Sequence, residues 1–143
     1  MSDSDLIKLY SKHILALAAA IPHLGSLQDP QGEAKARSPL CGSTVTVGVA
    51  LTDGAVSQFA QNVKACALGQ ASAAILGKVV IGLDRETLQQ GRDALHAMLT
   101  KDGPVPSAPF EGYEVLLPAR DFKNRHASIL LPFDATLNAI DAT

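Results

Sequence analysis

The stretch TVTVGVALTDGAVSQFAQNVK, residues 44–64, alternates apolar and polar side chains on either side of an Asp-Gly pair. Such alternation is typical of half-buried β-strands, and Asp-Gly is a strong signal for a tight hairpin turn. We therefore predict one β-hairpin, with strands from Thr44 to Leu51 and from Ala55 to about Lys64.

Two registers of this hairpin are compatible with the sequence. A strict two-residue turn pairs residues whose numbers sum to 107, which places Cys41 directly opposite Cys66. A loop one step longer pairs Val49 with Phe59 and buries more apolar surface, so we favour it. In both registers the two cysteines lie at the same end of the hairpin.

A helix is predicted before the hairpin, from Asp5 to Ile21, because apolar residues recur there at helical spacing. Ser4 or Asp5 can cap this helix, and Pro22 ends it. Residues 22–40 and 101–112 are rich in Pro, Gly and polar residues, so we predict that both are flexible loops.

Three further helices are predicted after the hairpin. One begins at Cys66 and reaches about Val80, and the next is capped by Asp84. The last begins around Ser128, which requires Pro132 to lie in its first turn. The order of elements predicts a single α+β domain over residues 1–143, with a small antiparallel sheet of about three strands packed against a layer of helices.

Composition excludes several classes of protein. A net charge of −2 provides no basic footprint for nucleic acid, and 4% aromatic residues give few platforms for stacking bases. No apolar run is long enough to cross a membrane, and the polar, acidic N-terminus is not a secretory signal. We therefore expect a cytoplasmic protein, in which the two cysteines are free thiols or metal ligands rather than a disulfide.

Cys41 and Cys66 are the candidate functional residues. Cys66 opens a predicted helix, where free backbone N–H groups attract an anionic ligand or a thiolate. Ser43 enters the same strand two residues after Cys41, so both side chains can face one side. Two thiols suit zinc or iron but fall short of four ligands, and His126 is the histidine best placed to add a third. Equally, free cysteines are often inert core residues.

The chain resembles the U-type iron–sulfur cluster assembly proteins, which comprise the SUF-system scaffold and the N-terminal domain of NifU. Ser38 to Gly42 is similar to the family motif Asn-Pro-x-Cys-Gly-Asp, and Ala65 to Ser72 is similar to Gly-Cys-Ala-x-Ser-x-Ala-Ser. Further similarities lie at Leu9-Tyr10, at the hairpin, at Met98-Leu99 and at Leu131-Pro132-Phe133. The resemblance implies the fold of that family and a site built from three cysteines and one aspartate.

Two of those four site residues are absent from this sequence. Ser43 stands where the family has its aspartate, and Ser128 stands in the third cysteine position. A shifted frame puts His126 or Ala127 there instead. A neutral hydroxyl is a poor ligand for zinc or iron, so we expect weaker binding of metal than the family norm. His126 with a water could complete a site, or two subunits of a homodimer could share one cluster.

The resemblance implies a non-enzymatic role in iron–sulfur cluster assembly beside a cysteine desulfurase. Cys41 would be the persulfide acceptor, and Cys41 and Cys66 would hold zinc, a transient cluster or sulfur. The alternative is a degenerate adaptor or regulator on the same fold that binds no cluster. No phosphate loop, dinucleotide fingerprint or Ser-His-Asp motif supports a self-contained enzyme.

Overall fold

The computed structural model describes residues 11–39 and 42–143 of the chain. The part of the predicted first helix that precedes residue 11 lies outside the described residues, as do Leu40 and Cys41. The elements in chain order are α1 (Lys12–Ala18), β1 (Gly32–Arg37), β2 (Thr44–Thr52), β3 (Ala55–Lys64), α2 (Ala67–Val79), α3 (Arg85–Thr100), two 3₁₀ helices (Glu111–Asp121 and Lys123–Arg125) and α4 (His126–Asp141).

The three strands form one antiparallel sheet in the order β1-β2-β3. Helix α4 packs against β1 and β2, and it also contacts α2 and α3, so the helices form a layer over one face of the sheet. The prediction of an α+β fold with three strands is confirmed. None of the helices in the described part of the chain combines the length and apolarity that crossing a bilayer requires.

The hairpin combines the two predicted registers. Val49 pairs with Phe59, as favoured, whereas Leu51 pairs with Val56 in the register of the strict two-residue turn. The change of register occurs between Ala50 and Leu51, so that Ser57 is an extra residue on β3, as in a β-bulge. Asp53 and Gly54 both have positive φ, which is the geometry of a tight two-residue hairpin turn. The bulge keeps this turn and still buries the larger apolar face.

The prediction of a loop over residues 22–40 is wrong for Gly32–Arg37, which form β1. Its inward-facing residues are glycine and alanine, so the sequence shows little hydrophobic alternation there. Gly32 packs against the backbone of α4, where a Cβ would collide with the carbonyl oxygen of Ala139. The strand exists because β2 pairs with it and α4 covers it, which are both contacts distant in sequence.

The prediction of one uninterrupted helix from Asp5 to Ile21 is also wrong. Ser11 has an extended backbone with ψ of 161°, and its hydroxyl accepts a hydrogen bond from the Ile14 N–H as the cap of α1. The helix ends at Ala18 rather than at Ile21. The Ser11 hydroxyl takes the place of a backbone carbonyl as acceptor for the Ile14 N–H, so the chain can leave the helical conformation at Ser11. This is the usual role of serine at a helix start.

Helix α4 begins at His126, so Pro132 lies in its second turn and not in the first. Proline has no N–H, so the helical hydrogen bond from residue 132 to the Ser128 carbonyl is absent. Twelve of the sixteen residues of α4 are buried, and this burial on several sides offsets the missing bond. The predicted helices at Cys66 and Asp84 are confirmed as α2 and α3.

We predict that Gly32→Ala destabilises the fold by about 1–3 kcal/mol, because its methyl group would overpack against the α4 backbone. The matched control is Gly48→Ala in β2, where the nearest atom to an added Cβ is 3.5 Å away. Urea unfolding of both variants measures the difference. Equal stabilities would contradict the close packing of β1 against α4.

Candidate functional site

Cys66 lies at the start of α2, directly after the strand that ends at Lys64. It is the N-cap residue of the helix, and its backbone is extended there. Its side chain makes no capping hydrogen bond, so the sulfur is directed to other groups. The thiol is free and partly buried.

The partners of this sulfur are two serine hydroxyls. Cys66 Sγ lies 3.6 Å from Ser128 Oγ, and Ser128 Oγ donates a hydrogen bond of 3.2 Å to Ser43 Oγ. Both serines are buried, with Ser43 only 3% exposed and Ser128 fully enclosed. Ser43 directly before β2, Cys66 at the N-cap of α2 and Ser128 in α4 therefore meet at one end of the sheet. They are three of the five positions that the sequence indicated for the site.

The direction of the hydrogen bonds among these three side chains follows from the protons that they carry. Ser128 has one hydroxyl proton and gives it to Ser43, so the Cys66 S–H donates to Ser128 while the sulfur is protonated. If the sulfur becomes a thiolate, Ser128 can rotate its proton towards it, since a hydroxyl both donates and accepts. The site can thus adapt to either state of the sulfur without moving the backbone.

Gly69 is the residue that allows α2 to approach α4 at this point. A Cβ at Gly69 would lie 2.6 Å from Ser128 Oγ and 2.8 Å from the Ala65 Cβ, closer than such atoms approach. The contact is with α4, and no local pattern could have identified it.

The segment around Cys41 is held at both ends. Ser38 N–H donates to the Ser43 carbonyl at 2.8 Å, and Gly42 N–H donates to the Ser38 carbonyl at 3.0 Å. These bonds close a short loop at the end of the β1–β2 pair, and Gly42 has φ of 70°, which favours glycine. Cys41 belongs to this loop by sequence but lies outside the described residues.

His126 is engaged elsewhere. Its Nε2 lies 2.9 Å from the Ala119 carbonyl oxygen and 3.1 Å from that of Arg120. Both partners are acceptors, so Nε2 carries a proton and donates to them. His126 and Ser128 are two positions apart on α4, which is a rotation of about 200° around the helix axis. The helix therefore directs the imidazole and the site serine to different sides.

The remaining histidines lie away from the thiol. His13 is exposed on α1, and His23 is exposed in a loop. His96 hydrogen-bonds with Thr100 on α3. Within residues 11–39 and 42–143, no group of three His, Cys, Asp or Glu side chains is placed to hold a metal ion.

Comparison with solved structures places the chain in a family. The N-terminal part of a nitrogen-fixing NifU-like protein from Brucella abortus is 43% identical, with a TM-score of 0.93 and 96% of each chain covered. The chain belongs to this NifU-like N-terminal family, as its sequence resemblance implied. A scan of protein-family models found no match, and a search of curated proteins found none.

More distant structures share the fold. One is named as a candidate iron–sulfur cluster assembly scaffold protein for the SUF system from thermophilic Fervidobacterium islandicum, 16% identical, with a TM-score of 0.83 over 94% of this chain and 98% of that one. Another is described only as a hypothetical protein, 22% identical, with a TM-score of 0.80 over 94% and 98% of the two chains.

We predict that Ser128→Ala costs about 1–2 kcal/mol of stability, because Ser43 and Cys66 each lose a buried hydrogen-bond partner. Ser107→Ala, at an exposed loop serine, is the control and should be nearly neutral. Urea unfolding at constant pH measures both. A Ser128→Ala protein as stable as the wild type would argue against the hydrogen bonds that link Ser128 to Cys66 and Ser43.

Proposed function

We propose that this chain acts in iron–sulfur cluster assembly, where Cys41 accepts sulfur and Cys66 helps to hold it. The observation that carries the proposal is the contact of Cys66 Sγ with Ser128 Oγ, 3.6 Å apart at the junction of α2 and α4. Kinship with a NifU-like protein at 43% identity supports it. By resemblance, the partner is a cysteine desulfurase in the cytoplasm.

The donor set around Cys66 does not fit a resident metal. Its described neighbours are two neutral hydroxyls, whereas a closed zinc site needs four strong donors such as thiolate, imidazole or carboxylate. Adding Cys41 gives two thiols, still two short of that number. Metal or cluster would therefore be a weakly held cargo, unless two copies of the chain contribute four thiolates.

Sulfur transfer requires fewer groups. A thiolate of this chain attacks the outer sulfur of a persulfide on the partner, so that a new S–S bond forms as the partner's S–S bond breaks. The partner's cysteine leaves as a thiolate, and no external oxidant is consumed. One accessible thiol is sufficient for this step, and Ser128 can donate a hydrogen bond to an anionic sulfur at Cys66.

An adaptor that binds the same partner but carries no sulfur is the second candidate. The observation that favours it is the pairing of Ser43 with Ser128, which fills the site with a hydrogen bond between two hydroxyls. In the adaptor, the cysteines would be dispensable and only the outer surface would matter.

We predict that the wild-type protein acquires persulfide sulfur from a cysteine desulfurase and labelled cysteine, and that Cys41→Ser with Cys66→Ser abolishes the transfer. Mass spectrometry under anaerobic conditions measures sulfur per chain, and the exposed-site variant Ser107→Ala is the control. Binding of the desulfurase should survive the cysteine replacements. Binding without any transfer to the wild type would favour the adaptor, and neither binding nor transfer would refute both.

We also predict that Ser43→Asp with Ser128→Cys creates a stable zinc site, because it adds a carboxylate and a thiolate beside Cys66. Zinc should bind at least about 100-fold more tightly than to the wild type, since the loss of an outer-shell group alone costs about 10- to 100-fold. Competition with a chromogenic chelator measures the affinity.

The matched control is the same pair of substitutions in a Cys66→Ser background. Zinc should raise the melting temperature of the double variant clearly more than that of the control, which lacks one of the four ligands, because metal binding is linked to folding. Equal zinc affinity in both backgrounds would show that Cys66 is not part of the site.

A further inference from the structure

A cluster of basic residues lies on the face of the sheet opposite to the helices. Arg37, Thr44 and Lys64 form one row across the three strands, and Lys35, Thr46 and Asn62 form the next. We call these six residues the basic face. All three cations are exposed, and Thr44 and Thr46 are partly buried between them.

The three positive charges are close together. Neighbouring strands are about 4.8 Å apart and alternate residues about 7 Å apart, so the Cα atoms of Lys35, Arg37 and Lys64 lie within about 12 Å of one another. The ion pairs formed among the described residues do not include any of the three. Mutual repulsion at this distance is only partly screened by salt. An anion placed between them would relieve it.

The basic face contains a recess of about 300 Å³, lined by Lys35, Thr44, Thr46, Asn62 and Lys64. Its lining offers two hydroxyl donors, one amide donor and two ammonium groups. Such donors suit carboxylate side chains. The chain has a net charge of −2, so this positive area is local and does not reflect an overall basic protein.

The other end of the same face is different. Glu33 is the one acidic residue in the three strands, all of which are described, and it pairs across from Gly48. The side chains of Pro30 and Leu27 approach Gly48, and Cβ atoms built there would be 3.5 and 3.8 Å from them. The sheet is therefore covered and acidic at one end, and open and basic at the other.

The open end is the end that carries the thiol. Lys64 precedes Cys66 by two residues, and Thr44 follows Ser43 directly. Arg37 immediately precedes the loop that contains Cys41. A protein bound to the basic face would therefore reach the edge of the sulfur site without any rearrangement of the sheet.

We propose that the basic face docks an acidic surface of the protein that delivers sulfur to this chain, a proposal that rests on the proposed function. The face is small and its two rows contain no aromatic residue, which disfavours single-stranded nucleic acid, because that binds by stacking bases. Complementary charges would raise the rate of association and orient the partner's reactive sulfur towards the cysteine loop.

The test uses Lys35→Glu with Lys64→Glu, and the control is Lys101→Glu with Lys123→Glu, which changes the charge equally at exposed sites outside the sheet. The probe is the cysteine desulfurase encoded by the same genome. Its binding is measured by biolayer interferometry, and sulfur transfer by persulfide formation, at low and high salt. Circular dichroism verifies that each variant folds.

We expect the basic-face variant to lose about tenfold or more in association rate and to raise KM for transfer similarly, with kcat unchanged, because charge steering acts on encounter. The salt dependence of wild-type binding should largely disappear in this variant and persist in the control. If sulfur transfer to the basic-face variant is as fast as transfer to the wild type, the docking proposal is overturned and the proposed function is left intact.

Other outcomes separate the two proposals. Charge-dependent binding of the desulfurase without sulfur transfer would uphold the docking surface and reject the sulfur acceptor. A loss of oligonucleotide binding in the basic-face variant, with desulfurase binding unchanged, would overturn the docking proposal in favour of nucleic acid.

Discussion

The close approach of α2 to α4 at Gly69 is the constraint on which the site depends. Because Gly69 has no side chain, Ser128 can lie against the first turn of α2 and contact the sulfur at its start. Helix α4 also packs against β1 and β2, so the end of the sheet next to Ser43 is held against the same helix. The interhelical contact thus sets the distance between Cys66 and Ser128, which are 62 positions apart in sequence.

Local sequence signals predicted the elements whose causes are local. The Asp-Gly turn, the cap at Asp84 and the helix after Cys66 each depend on a few neighbouring residues, and each was confirmed. The favoured pairing of Val49 with Phe59 was also correct, since it follows from which face is buried. What could not be predicted was the bulge that reconciles this pairing with a two-residue turn, because either register alone satisfies one of the two requirements.

The break of the predicted first helix has a local cause, the cap at Ser11, whereas the other two errors depend on contacts with residues outside the element concerned. Strand β1 lacks large apolar residues and is stabilised by β2 and α4, so no period in residues 22–40 indicates it. Helix α4 starts ahead of Pro132 by six residues, where His126 donates to carbonyl groups of the preceding 3₁₀ helix. That contact also directs the His126 imidazole away from the thiol. Because His126 is only two residues from Ser128, the sequence alone does not indicate this separation.

Resemblance indicated the candidate site residues, and the structure describes the contacts among Cys66, Ser43 and Ser128. A serine in place of a thiolate and another in place of a carboxylate take two negative charges out of a site that is buried from water. With those charges, the site would need a cation, because uncompensated carboxylate and thiolate groups are costly to bury. With two hydroxyls it is stable without one, because neutral groups that form hydrogen bonds can be buried without a counterion. With Ser43 and Ser128 in place of the family's aspartate and cysteine, the site needs no cation to be stable and offers fewer ligands to one. This favours the proposed covalent carriage of sulfur over coordination of a metal. The positive charges of the basic face lie on the other side of the sheet from this neutral pocket, where they can attract a partner.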